Sequence, residues 1–299
     1  MADEILLSGI DGSNPLGFLA AAGALRLLDS RRNDIGLRWA MDGAWRPVLT
    51  GVAVTPEQLC AAILECSPIP GELVSLIGKN LTVPVATYRE FVLASEDHLV
   101  NSGRRAATDF AAAFASEACE DRKKARVEYT DLCFITGSGH QDFIETAKKL
   151  TTATTAVHIY EALFQPWRRS DKGLSFRWDP ADAIEYALRW DDPGPLGASS
   201  VWGANRLAIE ALPLFPVQPT ASGLATTGFT KDDFTWPIWT DPVSCSTVRA
   251  LLSLAEIQEP TPDRQLLAAM GIAEVFRSRR VRIGQGANFK VSFRPSRSA

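Results

Sequence analysis

Seven cationic residues and no acidic residue occupy the last 23 positions of this 299-residue chain, a composition suited to holding phosphate. The seven are Arg277, Arg279, Arg280, Arg282, Lys290, Arg294 and Arg297. The other 276 residues contain 24 cations and 35 acids, so this basic character is local in a chain of formal net charge −4. A basic segment on an acidic body predicts a local contact with a polyanion and disfavours a general nucleic-acid coat.

Apolar residues alternate through this segment, which is the pattern of a β-hairpin. They are Val281, Ile283, Phe289, Val291 and Phe293, and a glycine-rich turn at 284–287 separates the two runs. We expect three cations to reach phosphates while the neighbouring apolar residues pack inward: Arg280, Arg282 and Lys290. Gln285, at the tip, is expected to enter a groove or wedge a base step. The alternative is a solvated, fraying C-terminal segment.

Two further groups of polar residues could contact nucleic acid. Arg168 and Arg169 belong to a stretch, 165–200, that is rich in Trp, Arg, Asp and Pro. Asn205 and Arg206 lie near the start of a predicted short helix, where they could face a phosphate. For the 165–200 stretch, we favour arginines that stack on tryptophan and pair with aspartate over direct base stacking.

Two loops have a distinctive composition. The basic run 122–126 follows Glu120 and Asp121, and it is interpreted as a solvated turn. The glycine loop 137–139 separates a predicted strand from a helix expected to begin near Gln141, and such a junction can bind an anion. The loop lacks the Gly-Lys-Ser/Thr of a Walker A motif, so a tight turn is the favoured interpretation.

No recognisable catalytic motif occurs in the sequence. His140, beside the glycine loop, is the best single candidate for acid–base chemistry, but no partner is evident. Asp142 and Glu145, with Lys148 and Lys149, resemble a metal-nuclease cluster, although charged helix surfaces often give this pattern. The five cysteines are scattered without a C-x-x-C pair, which indicates a reducing compartment and no cysteine zinc site. We therefore expect no catalytic residue, no metal and no cofactor.

The elements that must position these residues include one strongly apolar helix near the start of the chain. Asn14 is a good N-cap and Pro15 suits the first helical position. The residues that follow are apolar around most of the helix, so we expect it to be buried, and the small residues of 20–24 permit close approach of a neighbour.

Further along the chain the pattern predicts mixed helices and short antiparallel strands. Predicted elements include a helix from Thr55, a helix over 104–118, a strand over 127–135 and a long helix from Gln141 whose buried stripe includes Val157. Residues 71–104 show less regular periodicity. Short strands over 214–239 precede two helices and the basic hairpin.

The predicted fold class is therefore α+β, with a strand-rich C-terminal half. It divides into an N-terminal region 1–165, with the glycine loop and long helix, and a region 166–299, or it forms one continuous domain. The most apolar segment, Phe18 to Leu28, is 11 residues long, and a bilayer span needs about 20. The acidic start, Met1 to Glu4, is unlike a signal peptide, so we expect a cytoplasmic protein without a membrane contact.

Several segments resemble proteins of type I-U/I-G CRISPR loci. The N-terminal segment Gly9–Arg26 is similar to the apolar helix that opens such chains. The other similar stretches are Tyr186–Pro193, Gly203–Ala208 through Phe215-Pro216, Thr227–Phe229 and Trp236–Trp239. The resemblance covers the start of the chain and the region from about 175 to 250, and it consists of several motifs rather than one diagnostic signature.

This resemblance implies a large-subunit-class component of the crRNA-guided Cascade effector complex, although the chain is short for a large subunit and a smaller accessory protein is an alternative. Such a subunit contacts crRNA, recognises the short duplex motif (PAM) beside the target double-stranded DNA, and assembles with other Cascade subunits. A separate effector helicase-nuclease cuts the target. Two other functions stay open: a metal-dependent nuclease or hydrolase using His140, and a scaffold that docks a partner protein through tryptophans.

Overall fold

The computed structural model describes residues 3–30, 34–66, 71–137, 141–183, 199–283 and 290–299. The fold is mixed α+β, as predicted. The helices are Pro15–Asp29 (α1), Pro56–Leu64 (α2), Gly71–Ile77 (α3), Val85–Ser102 (α4), Ala106–Phe114 (α5), Phe143–Ala153 (α6), Ala156–Phe164 (α7), Trp202–Ile209 (α8), Cys245–Leu252 (α9), Ala255–Gln258 (α10) and Arg264–Ala269 (α11).

The strands form small sheets in which every pairing among the described residues is antiparallel. They are Glu4–Leu6 (β1), Gly36–Asp42 (β2), Ala44–Thr50 (β3), Ala115–Asp121 (β4), Arg126–Tyr129 (β5), Asp171–Lys172 (β6), Ser199–Ser200 (β7), Val217–Thr220 (β8), Gly223–Thr226 (β9), Phe229–Thr230 (β10), Asp233–Trp239 (β11), Ile272–Ile283 (β12), Lys290–Phe293 (β13) and Arg297–Ser298 (β14). The N-terminal sheet has the order β1-β3-β2, and the C-terminal sheet has the order β10-β11-β12-β13, with β14 also paired to β12.

Helix α1 is buried almost all round, as its apolar sequence predicts. The Asn14 side chain accepts hydrogen bonds from the backbone N–H groups of Leu16 and Gly17, which confirms it as the N-cap. A Cβ at Gly23 would lie 1.9 Å from the carbonyl oxygen of Leu207 in α8. Glycine at this position therefore lets the two helices cross at close range.

Aromatic side chains join α1 to both larger sheets. Phe18 of α1 lies 5.9 Å from Trp39 and from Trp236, and 6.2 Å from Trp239, measured between ring centroids. The indole N–H of Trp239 donates to the carbonyl of Leu37 at 2.6 Å, so the polar edge of this ring is satisfied within the core. A single apolar core thus includes residues from both halves of the chain.

The middle of the chain is more helical than the sequence pattern predicts, because α3 and α4 occupy most of 71–104. The helix predicted for 104–118 ends at Phe114, since Ala115 has an extended backbone (φ −161°, ψ −179°) and begins β4. Pairing with β5 stabilises that early ending. The strand predicted for 127–135 is limited to β5.

The long helix predicted from Gln141 is divided into α6 and α7. The break lies at Thr154 and Thr155, where Thr155 and His158 form a reciprocal cap for α7, with the backbone N–H of Thr155 3.1 Å from His158 Nδ1. The new start rotates α7 relative to the expected stripe. Val157, predicted to be buried, is consequently 64% exposed.

The C-terminal sheet confirms the predicted basic hairpin. Strand β12 pairs with β13 in a register that places Arg280 opposite Phe293 and Ile283 opposite Lys290. The turn between them, with Gln285, lies outside the described residues. The chain then returns along β12 as β14, so the hairpin is followed by a further strand. No helix in the described ranges is long and apolar enough to cross a membrane.

Candidate nucleic-acid interface

An open cleft of about 940 Å³ separates the basic hairpin from the β4–β5 hairpin. Among the residues that the structure describes, six cationic and four acidic side chains line it, which makes it locally positive on a molecule of net negative charge. The cations are Lys124, Arg126, Arg177, Arg280, Arg282 and Lys290. The acids are Asp121, Glu128, Asp131 and Asp232.

The basic hairpin contributes one wall of this cleft. Arg280 and Arg282 are two positions apart on β12, and Lys290 begins the paired strand β13. Both Arg282 and Lys290 are exposed. These are the three hairpin cations for which phosphate contacts are predicted from the sequence, and the structure brings all three to one cavity.

The basic run 122–126, which the sequence predicts to be a solvated turn, contributes the other wall of the cleft. Residues 122–125 do form the turn between β4 and β5, and Ala125 adopts a left-handed conformation with φ +49°. Lys124 and Arg126 flank that residue and line the cleft, although Lys124 also pairs with Asp121 at 2.9 Å. The local sequence pattern does not reveal that Lys124 and Arg126 line the cleft, because nothing in it shows that the turn faces a hairpin about 150 residues further along the chain.

Arg280 pairs with two carboxylates at the cleft. Its Nη1 lies 2.6 Å from Asp131 Oδ1, and its Nη2 lies 2.9 Å from Asp232 Oδ1. The guanidinium also lies 5.7 Å from the ring centroid of Phe229. Burial opposes the charged form of Arg280, but the two carboxylates outweigh it and hold its pKa above the ordinary value.

Tyr129 lies among these cations on the floor of the cleft. Burial raises the pKa of its hydroxyl, as does the nearby Cys133, while the guanidiniums of Arg126, Arg280 and Arg282 oppose that rise. The net direction is upward, so the hydroxyl is protonated at neutral pH. It is therefore a hydrogen-bond donor beside three guanidiniums, on a side chain that is half-buried and packed against the core.

Arg177 closes the back of the cleft and is 9% exposed. Its guanidinium donates to Gln141 Oε1 from Nε at 3.1 Å and from Nη2 at 2.5 Å. Its backbone is left-handed, with φ +65°, and its carbonyl accepts a hydrogen bond from the Ser292 hydroxyl of β13 at 3.3 Å. The basic hairpin is thus tied to the segment that follows the glycine loop.

The other predicted hairpin cations do not line the cleft. Arg277 donates to the Thr235 hydroxyl and to the carbonyls of Ile257 and Glu259, and Arg279 forms a two-pronged pair with Asp233, both distances being 2.8 Å. Arg294 is exposed beyond β13. Nucleic-acid contacts by these residues, expected from the basic composition of the segment, stay predictions.

Asn205 and Arg206, predicted near a phosphate, lie in the interior. Asn205 is 1% exposed, and its side chain accepts from the N–H of Phe176 and donates to the carbonyl of Val201. Arg206 is 5% exposed and pairs with Glu210 at 2.6 Å. Both side chains form hydrogen bonds or ion pairs inside the protein because α8 is buried against α1. Nothing in their surroundings supports the predicted phosphate contact.

The arginines of the 165–200 stretch differ from each other. Arg169 pairs with Asp179 at 2.8 Å and lies 5.9 Å from the Trp167 ring centroid, which confirms the favoured stacking-and-pairing interpretation there. Arg168 is exposed and away from the cleft. The Arg-Trp-Asp run at 189–191, which belongs to the same stretch, lies outside the described residues, as does His140.

No protein-family model matches the chain, and no curated sequence matches it. Within the ranges that the structure describes, no group of three or more His, Cys, Asp or Glu side chains is arranged to hold a metal ion. The cleft and its cations are therefore the features from which a function can be argued.

Proposed function

We propose that this chain is a non-catalytic nucleic-acid-binding subunit of a type I CRISPR–Cas surveillance complex in the cytoplasm. In this proposal, it contacts crRNA or target DNA through the cleft and helps to recognise the PAM in antiviral defence. The sequence resemblance to type I-U/I-G proteins supports the assignment to that complex. The single observation that carries nucleic-acid binding is the convergence of two basic hairpins, distant in sequence, on one cavity.

The cleft has the parts that a phosphate-bearing strand requires. Arg282 and Lys290 on one wall and Arg126 on the other can neutralise successive phosphates from both sides. The Tyr129 hydroxyl, which borders the same cleft, supplies a neutral hydrogen-bond donor near them. Sequence specificity would then come from base pairing by guide RNA, with the protein holding backbone and reading the short duplex motif.

The first test is direct binding by the purified chain. Labelled RNA, single-stranded DNA and duplex DNA of one mixed sequence are titrated over a range of salt concentrations, with and without divalent metal. The double variant Arg126→Gln, Arg282→Gln removes one cation from each wall, while Arg280 is kept so that Asp131 retains its partner. Two lost phosphate contacts should flatten the salt dependence of log K on a single strand by about 1.4.

Arg104→Gln is the matched control, because Arg104 is exposed but does not line the cleft. It should bind as the parent does. An unchanged salt dependence in the double variant would place the interface elsewhere, and metal-dependent cleavage would favour the nuclease alternative. Co-expression with the neighbouring gene products then tests the complex: the chain should co-purify with them and with RNA.

A further inference from the structure

Two carboxylates hold the guanidinium of Arg280 from different sides. Asp131 Oδ1 accepts from Nη1 at 2.6 Å, and Asp232 Oδ1 accepts from both Nε and Nη2, at 3.2 and 2.9 Å. The guanidinium side chain is 26% exposed, so part of it faces the cleft. Arg280, a cation of the cleft proposed to bind phosphate, is therefore already paired with two of the protein's own carboxylates.

The two acids are held to different degrees. Asp131 is 27% exposed, its backbone N–H donates to the Thr226 hydroxyl at 2.8 Å, and its carbonyl also accepts from Arg280. Asp232 is 61% exposed and lies in the short turn between β10 and β11, beside Lys231 in a left-handed conformation. The backbone of Asp232 is also held, since its carbonyl accepts from the Arg280 N–H at 2.7 Å, but its carboxylate is the more exposed of the two and reaches Arg280 from solvent.

The contact that Asp232 makes is the one that a phosphate would make. Nε and Nη2 form the edge of a guanidinium that takes two oxygens of a phosphate or carboxylate side by side, and Asp232 engages this edge through a single oxygen. A phosphate offers two oxygens and more charge to the same edge. Replacement of Asp232 would leave the Asp131 contact, on Nη1, unbroken.

We propose that Arg280 is the phosphate-anchoring residue of the cleft and that Asp232 occupies the phosphate position when no ligand is bound. This inference rests on the proposed function. Asp131 orients the guanidinium, and Asp232 competes with every incoming polyanion. The competition lowers affinity for all of them, so that only ligands with additional contacts to Arg126, Arg282 and Lys290 are retained.

The test compares two adjacent aspartates. Asp232→Asn removes the competing carboxylate from Arg280, and Asp233→Asn removes the same charge from Arg279, which does not line the cleft. The probe is a short labelled RNA of mixed sequence, measured at low salt by fluorescence anisotropy. Asp232→Asn should bind about two- to fivefold more tightly than Asp233→Asn, which is the range expected for loss of an exposed ion pair.

A second arm uses Arg280→Lys, which keeps the charge opposite Asp131 but cannot offer the two-pronged edge. In that background, Asp232→Asn should give no gain over Asp233→Asn. Equal affinities of the two single variants, weaker binding by Asp232→Asn, or a gain that persists in the Arg280→Lys background would each overturn the inference while leaving the cleft as the interface. Failure of the parent to bind any nucleic acid would instead overturn the proposed function, and this inference with it.

Discussion

Two clusters of arginine and carboxylate in this protein have opposite stoichiometry and opposite burial. Between α1 and α8, Glu210 accepts from Arg26 at 3.0 Å and from Arg206 at 2.6 Å, and all three side chains are at most 13% exposed. At the cleft, Arg280 is shared by Asp131 and Asp232, and these side chains are 26–61% exposed. The first cluster has two cations for one acid, and the second has two acids for one cation.

The difference shows how burial decides what an ion pair can do. In the interior, each charge depends on its partner, because water cannot replace a lost contact. At the cleft edge, water and dissolved ions compete with each contact, so an exposed carboxylate can be displaced at small cost. The buried cluster therefore cannot lose one member without a large cost in stability, whereas the cleft cluster is the one that we propose a polyanion reorganises.

The strongest way to break this comparison is Glu210→Gln. It leaves two buried guanidiniums without a carboxylate, so we expect the free energy of unfolding to fall by about 3–5 kcal/mol. Glu117→Gln is the control, since the Arg89–Glu117 pair is 59% and 45% exposed and its loss should cost less than about 1 kcal/mol. Urea denaturation of both variants measures the difference. A loss below about 1 kcal/mol for Glu210→Gln would show that the burial argument is wrong.

Asn14→Ala tests an interior polar contact of intermediate strength. Asn14 caps α1 and also donates to Asp179 Oδ1 at 3.0 Å, while Asp179 pairs with Arg169. Loss of both contacts should lower the free energy of unfolding by about 2–3 kcal/mol, more than the roughly 1 kcal/mol of a cap alone. Asn14→Ser keeps the cap and loses the contact to Asp179, so it should fall between parent and Asn14→Ala.

Nucleic-acid binding provides the second measurement for these two variants. Neither variant should change nucleic-acid affinity at temperatures below the variant's own melting transition, because Asn14 does not line the cleft. Normal melting with lost binding would make Asn14 a contact residue rather than a structural one.

Features with a local cause could be predicted from the sequence, and features with a distant cause could not. The α1 cap, the burial of α1 and the β12–β13 pairing follow from neighbouring residues or from their periodicity. The positions of Arg126 and Asp232 depend on which hairpins meet, and no local pattern contains that information. The burial of Arg206 is also not predictable from the local sequence. Its partner Glu210 pairs with Arg26 of α1 as well, and this contact depends on the close crossing of α1 and α8 that Gly23 permits.

Lys290→Gln tests whether the position of a hairpin cation relative to the cleft decides how much it contributes to binding. Lys290 lines the cleft at the start of β13, and Arg294 lies exposed beyond the end of the same strand. Lys290→Gln should reduce the salt dependence of single-strand binding by about 0.7, the value for one phosphate contact, and Arg294→Gln should reduce it less, because Arg294 does not line the cleft. Thermal melting of both variants should match the parent. Equal effects of the two substitutions would mean that the hairpin acts by general charge rather than through the cleft.

The smallest expected effect concerns pH and the exposed pair outside the cleft. The hydrogen bond from Arg279 lowers the pKa of Asp233 below its ordinary value of 3.8, and burial only partly opposes it. A carboxylate whose pKa is lower in the folded state stabilises the fold above pH 3.8, and this contribution is lost as pH falls through the folded-state pKa. Asp233→Asn should therefore reduce stability slightly at neutral pH and make the acid side of the stability profile shallower. Thermal melting from about pH 7 down to about pH 2 measures both effects.

Added salt provides the contrary outcome for this pair. Because Arg279 is 61% exposed, salt should shrink the difference in stability between parent and variant at neutral pH. A difference that salt does not change would indicate a buried pair of the kind formed by Glu210.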